Sequence, residues 1–202
     1  MGTVPTLPIA GATRARNALT IMTDDPDPSR SNSPDIAIAV RSHSPLWRAN
    51  LLDAPAVVER AARAALAEVK LSGAVEISFL LANDARMQRL NRDFRGQDKP
   101  TNVLSFPAED SEGPDECGAG ARLLGDVVFA FETLEREAAA QSKPLSDHLS
   151  HLAVHGVLHL LGYDHAVAAQ ADRMERLEAR ILAGLGIADP YKHAGKEVEG
   201  AR

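Results

Sequence analysis

The chain has 202 residues, 45% hydrophobic and 25% charged, which suits an ordinary globular protein with one domain of about 150 residues plus tails. No run reaches the roughly 18 to 20 consecutive apolar residues of a membrane helix, and a single cysteine, Cys117, excludes an intramolecular disulfide, which fits a reducing compartment. The net charge of −6 argues against a protein that coats nucleic acid through its overall field. Residues 1–22 lack the order of a secretory signal, because Arg14 and Arg16 follow the mildly apolar stretch instead of preceding it; the expected location is the cytoplasm, away from membranes.

In chain order, the first 34 residues are rich in Pro, Ser, Thr and Asp and carry no period that would bury a face, so 1–34 is expected to be a disordered extension. Met22 stands just before the acidic run Asp24-Asp25-Pro26-Asp27, and translation starting there would be visible in N-terminal sequencing of the native protein. The folded domain is expected over 35–188 and a polar tail over 189–202. Ile36 to Arg41 alternates as a strand does. Ala54 to Lys70 reads as an alanine-filled helix opened by Asp53 as cap, with Pro55 in its first turn. Val75 to Leu81 is a second strand, and Asp84 to Phe94 a helix behind an Asn83 cap. Asn102 to Phe106 and Leu123 to Phe129 are short β-like runs. Between them, the acidic segment Glu109 to Glu116 reads as a mobile loop, more simply a tolerated insertion than a gate. Glu132 to Gln141 is helical, Pro144 punctuates, Ser146 to Leu161 is a long apolar helix, and Ala166 to Leu185 a final amphipathic one. The expected fold is therefore α+β: a mixed four-stranded sheet with about five helices in a single domain, without internal repeats.

Four of the seven histidines fall between His151 and His165. His155 and His159 are four apart, one helical turn, so both imidazoles can aim at one point. Gly162 supplies the helix stop, and the chain turning there can bring His165 back toward the other two. Three neutral imidazoles with an open fourth position make a catalytic zinc site, one ion per chain, where a structural site is usually closed by four protein ligands. Cys117 lies far away in a Gly/Pro/acid-rich stretch and reads as a loop residue. The metzincin pattern H-E-x-x-H-x-x-G-x-x-H matches at His155, His159, Gly162 and His165, but Gly156 stands where that pattern needs a glutamate as general base, which disfavours a peptidase.

With Tyr163 and Asp164 included, the run His155-Gly156-Val157-Leu158-His159-Leu160-Leu161-Gly162-Tyr163-Asp164-His165 resembles the signature H-G-x-L-H-L-x-G-Y-D-H of the YbeY family. Leu90-Asn91, Phe94-Arg95-Gly96 and Lys99-Pro100-Thr101-Asn102-Val103-Leu104-Ser105-Phe106-Pro107 resemble a second signature of that family, and Leu124-Gly125-Asp126 a third. The resemblance spans roughly Ile36 to Leu185. It implies a metal-dependent, single-strand-selective endoribonuclease that matures the 3′ end of 16S rRNA and serves ribosome quality control. Its implied partners are single-stranded rRNA and the ribosome or small-subunit ribosomal proteins.

Arg86, Arg89, Arg92 and Arg95 recur every three residues, close to one helical face, and Lys99 follows. For Arg86, Arg89 and Arg92 a phosphate-facing stripe and a solvated helix face remain open alike. Arg95 is expected just outside the helix, beside a glycine and at the arginine position of the family motif, which implies a catalytic or phosphate-binding role. His155 and Arg95 are thus the candidate catalytic residues, Arg95 and Lys99 the candidate RNA contacts, and His155, His159 and His165 the candidate metal ligands. Asp164 is either a base or a group that holds an imidazole or caps the next helix; Asp126 is either a group behind the ligands or a buried structural carboxylate. Tyr163 reads as packing, His151 as a helix-surface residue, and Thr101 and Asn102 as RNA contacts or loop-shaping residues. Two rival readings are a zinc peptidase or other hydrolase, and a non-catalytic ribosome-assembly factor with a structural metal.

Overall fold

In the computed structural model, residues 35–69, 71, 73–108, 121–165 and 167–192 are described. The expected extension 1–34, the start at Met22, Cys117, the acidic segment Glu109 to Glu116 and the tail after Lys192 lie outside them. Four strands form one sheet in the order β1-β2-β4-β3: β1 (Ile36–Ser42), β2 (Val75–Ala82), β3 (Val103–Pro107) and β4 (Arg122–Ala130). The first three in that order run parallel, and β3 lies antiparallel on β4, so the sheet is mixed as expected. β1 is an edge strand whose Ile36, Ile38 and Val40 are half-buried while the residues between face solvent. β2 and β4 are nearly continuous apolar runs because both of their faces are covered.

Alternation sorts the side chains of these two strands into two cores. Val75, Ile77, Phe79 and Leu81, with Val127 and Phe129, pack under α2 (Ala54–Glu68), α5 (Leu145–Leu160) and α6 (Ala168–Gly184). Leu80, Ala82, Val128 and Ala130 face the other way and join Leu104 and Phe106 beneath Met87 and Leu90 of α3 (Asp84–Arg95). Aromatic pairs pin each side: Phe79 stacks on Phe129 with ring centroids 6.1 Å apart, and Phe94 meets Phe106 edge-on at 5.1 Å. Gly125 allows β3 to approach β4 closely, beside the irregularity in the β2–β4 register. Its φ is 131°, and a Cβ there would stand 2.1 Å from the Phe106 carbonyl oxygen.

Six helices are present among the described residues, one more than the sequence suggests. The addition is α1 (Pro45–Asn50), six residues and so less than two turns, whose N-cap Ser44 accepts from the Leu46 amide through its side chain and whose Pro45 opens the helix. So short a helix has no amphipathic period to read; it persists because Trp47 is buried, donates its indole N–H to the Ala82 carbonyl at 2.7 Å and packs edge-on to Phe131. Two cap expectations divide. Asn83 is extended and accepts the Arg86 amide at 3.0 Å, whereas Asp53, at φ −93° and ψ 12°, makes no side-chain cap bond. α4 (Phe131–Ala140) starts directly at the end of β4 without a linker.

Candidate metal centre and cleft

α5 places His155 and His159 one turn apart with their Nε2 atoms 3.1 Å from each other. Gly162, at φ 83°, ends the helix: its amide donates to the His159 carbonyl, and the Tyr163 amide reaches back to Leu158, the paired bonds of a left-handed helix stop. The returning chain is held by Asp164, whose Oδ1 accepts the His165 amide at 2.7 Å. One nitrogen from each of His155, His159 and His165 then lies within 4.8 Å of the other two. Tetrahedral ligation at zinc–nitrogen distances separates ligand nitrogens by about 3.4 Å, so small side-chain adjustments bring this donor set onto one ion. His155 and His159 are half-buried and His165 is exposed, which leaves one side of the cluster open. Burial, with the neighbouring His155 and His165, pushes the His159 imidazole down to about 4, so it is neutral at physiological pH, the form that ligates metals.

Gly156 turns away from this cluster. A Cβ there would lie 2.7 Å from Val127 Cγ1 and 3.3 Å from Ser105 Oγ, so α5 rests on the sheet through the missing side chain. The position where a zinc peptidase carries its glutamate is packed against β-strands.

A cleft of about 880 Å³ opens beside the histidines. Arg95 and Lys99 line it; Arg86, Arg89 and Arg92 do not. Arg92 pairs with Asp93 at the surface, and Arg86 buries its Nε without a hydrogen-bond partner among the described residues. Arg95 is the last residue of α3 and not, as expected, the first beyond it; Gly96 forms the left-handed cap one position later. The loop carrying Lys99 is held from both sides. Asn91 donates to the Lys99 carbonyl at 2.8 Å, and Asn102 accepts the Val103 amide at 2.7 Å while donating to Glu137 of α4 at 3.0 Å. Asn102 therefore shapes the loop. Glu137 also meets His148 Nε2 at 2.9 Å, and burial lowers the His148 pKa despite that carboxylate.

Other candidates separate by position. Tyr163 packs against the larger core and stands under the Arg173 guanidinium, 5.6 Å from its ring centroid. Asp126 is buried on β4 away from the cleft lining, and burial raises its carboxyl to about 6. His151 stands behind the cluster, where it meets a residue the sequence reading missed, Glu178 of α6. Glu178 is fully buried; its Oε1 accepts from His155 Nδ1 at 2.9 Å, and its Oε2 meets His151 Nε2 at 3.1 Å and the Tyr191 hydroxyl. Burial pushes this carboxyl up, but the hydrogen bonds from His151 and His155, electrostatic attraction to the His155 ring and the Tyr191 bond outweigh it and hold it at about 2. Burial and Glu178 together push the Tyr191 hydroxyl well above the usual phenol range. Tyr191, expected in a polar tail, is thus docked on α6. The one signal in the sequence was a charge on the apolar stripe of α6, beside Met174, Leu177 and Ile181. Arg136 and Glu137, which also line the cleft, carried no comparable signal.

Fold and site define an α+β protein with a three-histidine cluster that can hold one ion, opening onto a cleft with a cationic rim. The sequence profile of the family described as Endoribonuclease YbeY matches residues 48–186. Many curated proteins are similar to this chain, among them three named Endoribonuclease YbeY. The one from Paramagnetospirillum magneticum is 54% identical over 157 residues, covering 77% of this chain and 96% of the relative. For Bradyrhizobium diazoefficiens the identity is 52% over 140 residues, 69% and 76% of the two chains. For Rhodospirillum rubrum it is 50% over 174 residues, 82% and 87%. This chain belongs to the YbeY family.

Proposed function

We propose that this chain is a zinc-dependent, single-strand-selective endoribonuclease of rRNA processing, acting in 3′ end maturation of 16S rRNA and in ribosome quality control. The observation that supports the chemistry is the convergence of three histidine nitrogens within 4.8 Å of one another beside a cleft lined by Arg95 and Lys99. RNA as substrate and the rRNA role rest on the family and on the name its relatives carry. Bound by His155, His159 and His165, one zinc ion supplies Lewis acidity to a phosphoryl group or to water.

The protein's own groups do the rest. Exposed His165 leaves the cluster open to a substrate entering the cleft. Arg95 presents a guanidinium that donates paired hydrogen bonds to phosphate oxygens and offsets the charge that builds on them during displacement. Lys99 adds a point charge on the same rim, on a loop that Asn91 and Asn102 hold in place. Because the whole chain carries −6, this local charge has to hold the RNA. On this reading the catalytic domain spans 35–188 and works in the cytoplasm, with single-stranded rRNA and the small ribosomal subunit as partners.

The test is cleavage of a labelled single-stranded rRNA precursor fragment by wild type, with a chelator lane and with His159→Ala purified identically. Chelator-sensitive cleavage that His159→Ala lacks is the expected result. Equal cleavage by both proteins, or none by zinc-loaded wild type, overturns the proposal in favour of a ribosome-assembly factor. Casein should remain intact, since Gly156 can neither take a proton nor give way to a larger residue against Val127.

A further inference from the structure

Glu178 is a carboxyl-bearing side chain with no solvent exposure, on the helix face that carries Met174, Leu177, Ile181 and Leu182. Burying a charge is costly unless donors surround it. Here three converge, two from α5 and one from the segment after α6: His155 Nδ1 on Oε1, and His151 Nε2 and the Tyr191 hydroxyl on Oε2. His151 Nε2 also lies 3.3 Å from the Tyr191 hydroxyl, which closes the ring of contacts on that side.

A neutral imidazole carries one N–H and one lone pair, and the partner of the first decides where the second points. In the neutral ring that ligates a metal, a carboxylate accepting at Nδ1 of His155 keeps the proton there and leaves the Nε2 lone pair free. That Nε2 is the atom 3.1 Å from His159 Nε2. We infer that Glu178 is a positioning residue, locking His155 in the tautomer and ring orientation that presents Nε2 to the cluster, with Tyr191 and His151 clamping the carboxylate in that pose. Carboxylate–histidine pairs of this kind raise ligand basicity and pre-orient the ring. The segment after α6 thereby contributes to metal affinity through Tyr191 without reaching the ion. The inference rests on the metal-centre reading above.

The experiment measures zinc affinity by competition with a chromophoric chelator for the full-length wild type, Glu178→Gln, Tyr191→Phe and His159→Ala. Nitrogen-15 chemical shifts of the His155 ring in the metal-free proteins and urea denaturation accompany it. Glu178→Gln keeps the volume but replaces one acceptor oxygen by a donor, so it can satisfy only one side of the cluster. The expected result is about 10- to 100-fold weaker zinc binding, a smaller loss in Tyr191→Phe, and an Nδ1–H tautomer of His155 that is dominant in wild type and mixed in Glu178→Gln. Wild-type affinity per folded molecule together with an unchanged His155 tautomer in Glu178→Gln overturns the inference, and a loss of folding stability alone marks Glu178 as merely structural. Should Glu178→Gln fail to fold, Tyr191→Phe decides: unchanged affinity overturns the clamp. Failure of the metal-centre reading looks different, because wild type would then bind no stoichiometric zinc and His159→Ala would match it, while the metal-free His155 tautomer still tests Glu178.

Discussion

Asp126→Asn should stabilise the protein in a pH-dependent way. Asp126 lies on β4 in register with Ser78 and Phe106, 8% exposed, and burial raises its carboxyl from 3.8 to about 6. At about 1.4 kcal/mol per pH unit, that displacement corresponds to about 3 kcal/mol. Between pH 3.8 and about 6 the folded protein holds a proton that the unfolded chain has released, so stability falls as pH rises through this window. The full cost applies above it and none below it. Asparagine has no charge to bury, so the variant should gain up to about 3 kcal/mol over wild type at pH 8, with the gain fading toward pH 4. A constant offset from rearranged amide hydrogen bonds leaves that slope untouched. The assay is urea denaturation of both proteins in chelator at intervals from pH 4 to 8, with the difference in unfolding free energy plotted against pH. A flat difference, or a wild type that becomes the more stable partner as pH rises, would refute the reasoning.

Gly156→Ala brings a methyl 2.7 Å from Val127 Cγ1, about 1 Å inside the optimal contact; overpacking of about 1–3 kcal/mol should exceed the roughly 1 kcal/mol gain in helix propensity. Val127→Ala should then cost less in that background than alone, and strict additivity in the double-mutant cycle would exclude the contact. Trp47→Phe removes the 2.7 Å bond to the Ala82 carbonyl and should cost about 1–3 kcal/mol in urea denaturation; an unchanged midpoint would show the bond to be worth nothing net. For RNA binding, Lys99→Ala should lessen the slope of log affinity against log salt by about 0.7, as loss of one single-strand phosphate contact does. An identical slope would remove Lys99 from the interface.

Local rules made some of this protein legible and left other parts dark. Asn83 behaves as a cap because its bond spans three residues, while Asp53, equally plausible by residue type, is turned away by its backbone angles. The helix α1 escaped because fewer than two turns show no period, although Ser44-Pro45 is a helix-start pair; what holds it is Trp47 reaching Ala82, 35 residues away. Arg95 closes α3 one residue past the helix end that the sequence suggests, and only the cleft separates it from the neighbouring Arg86, Arg89 and Arg92.

The sequence by itself determined the three-histidine arrangement, because a four-residue spacing is one helical turn and a left-handed glycine reverses the chain within three residues, both properties of the local backbone. It also determined the four strands, through alternating and continuous apolar runs. Only the tertiary structure decided the strand order β1-β2-β4-β3, the place of Arg136 and Glu137 on the cleft, and the Glu178–Tyr191 clamp behind His155. Those side chains come from α4, α6 and the segment beyond, and they meet where separate helices bury their apolar faces against one core, a long-range packing outcome that no local period encodes.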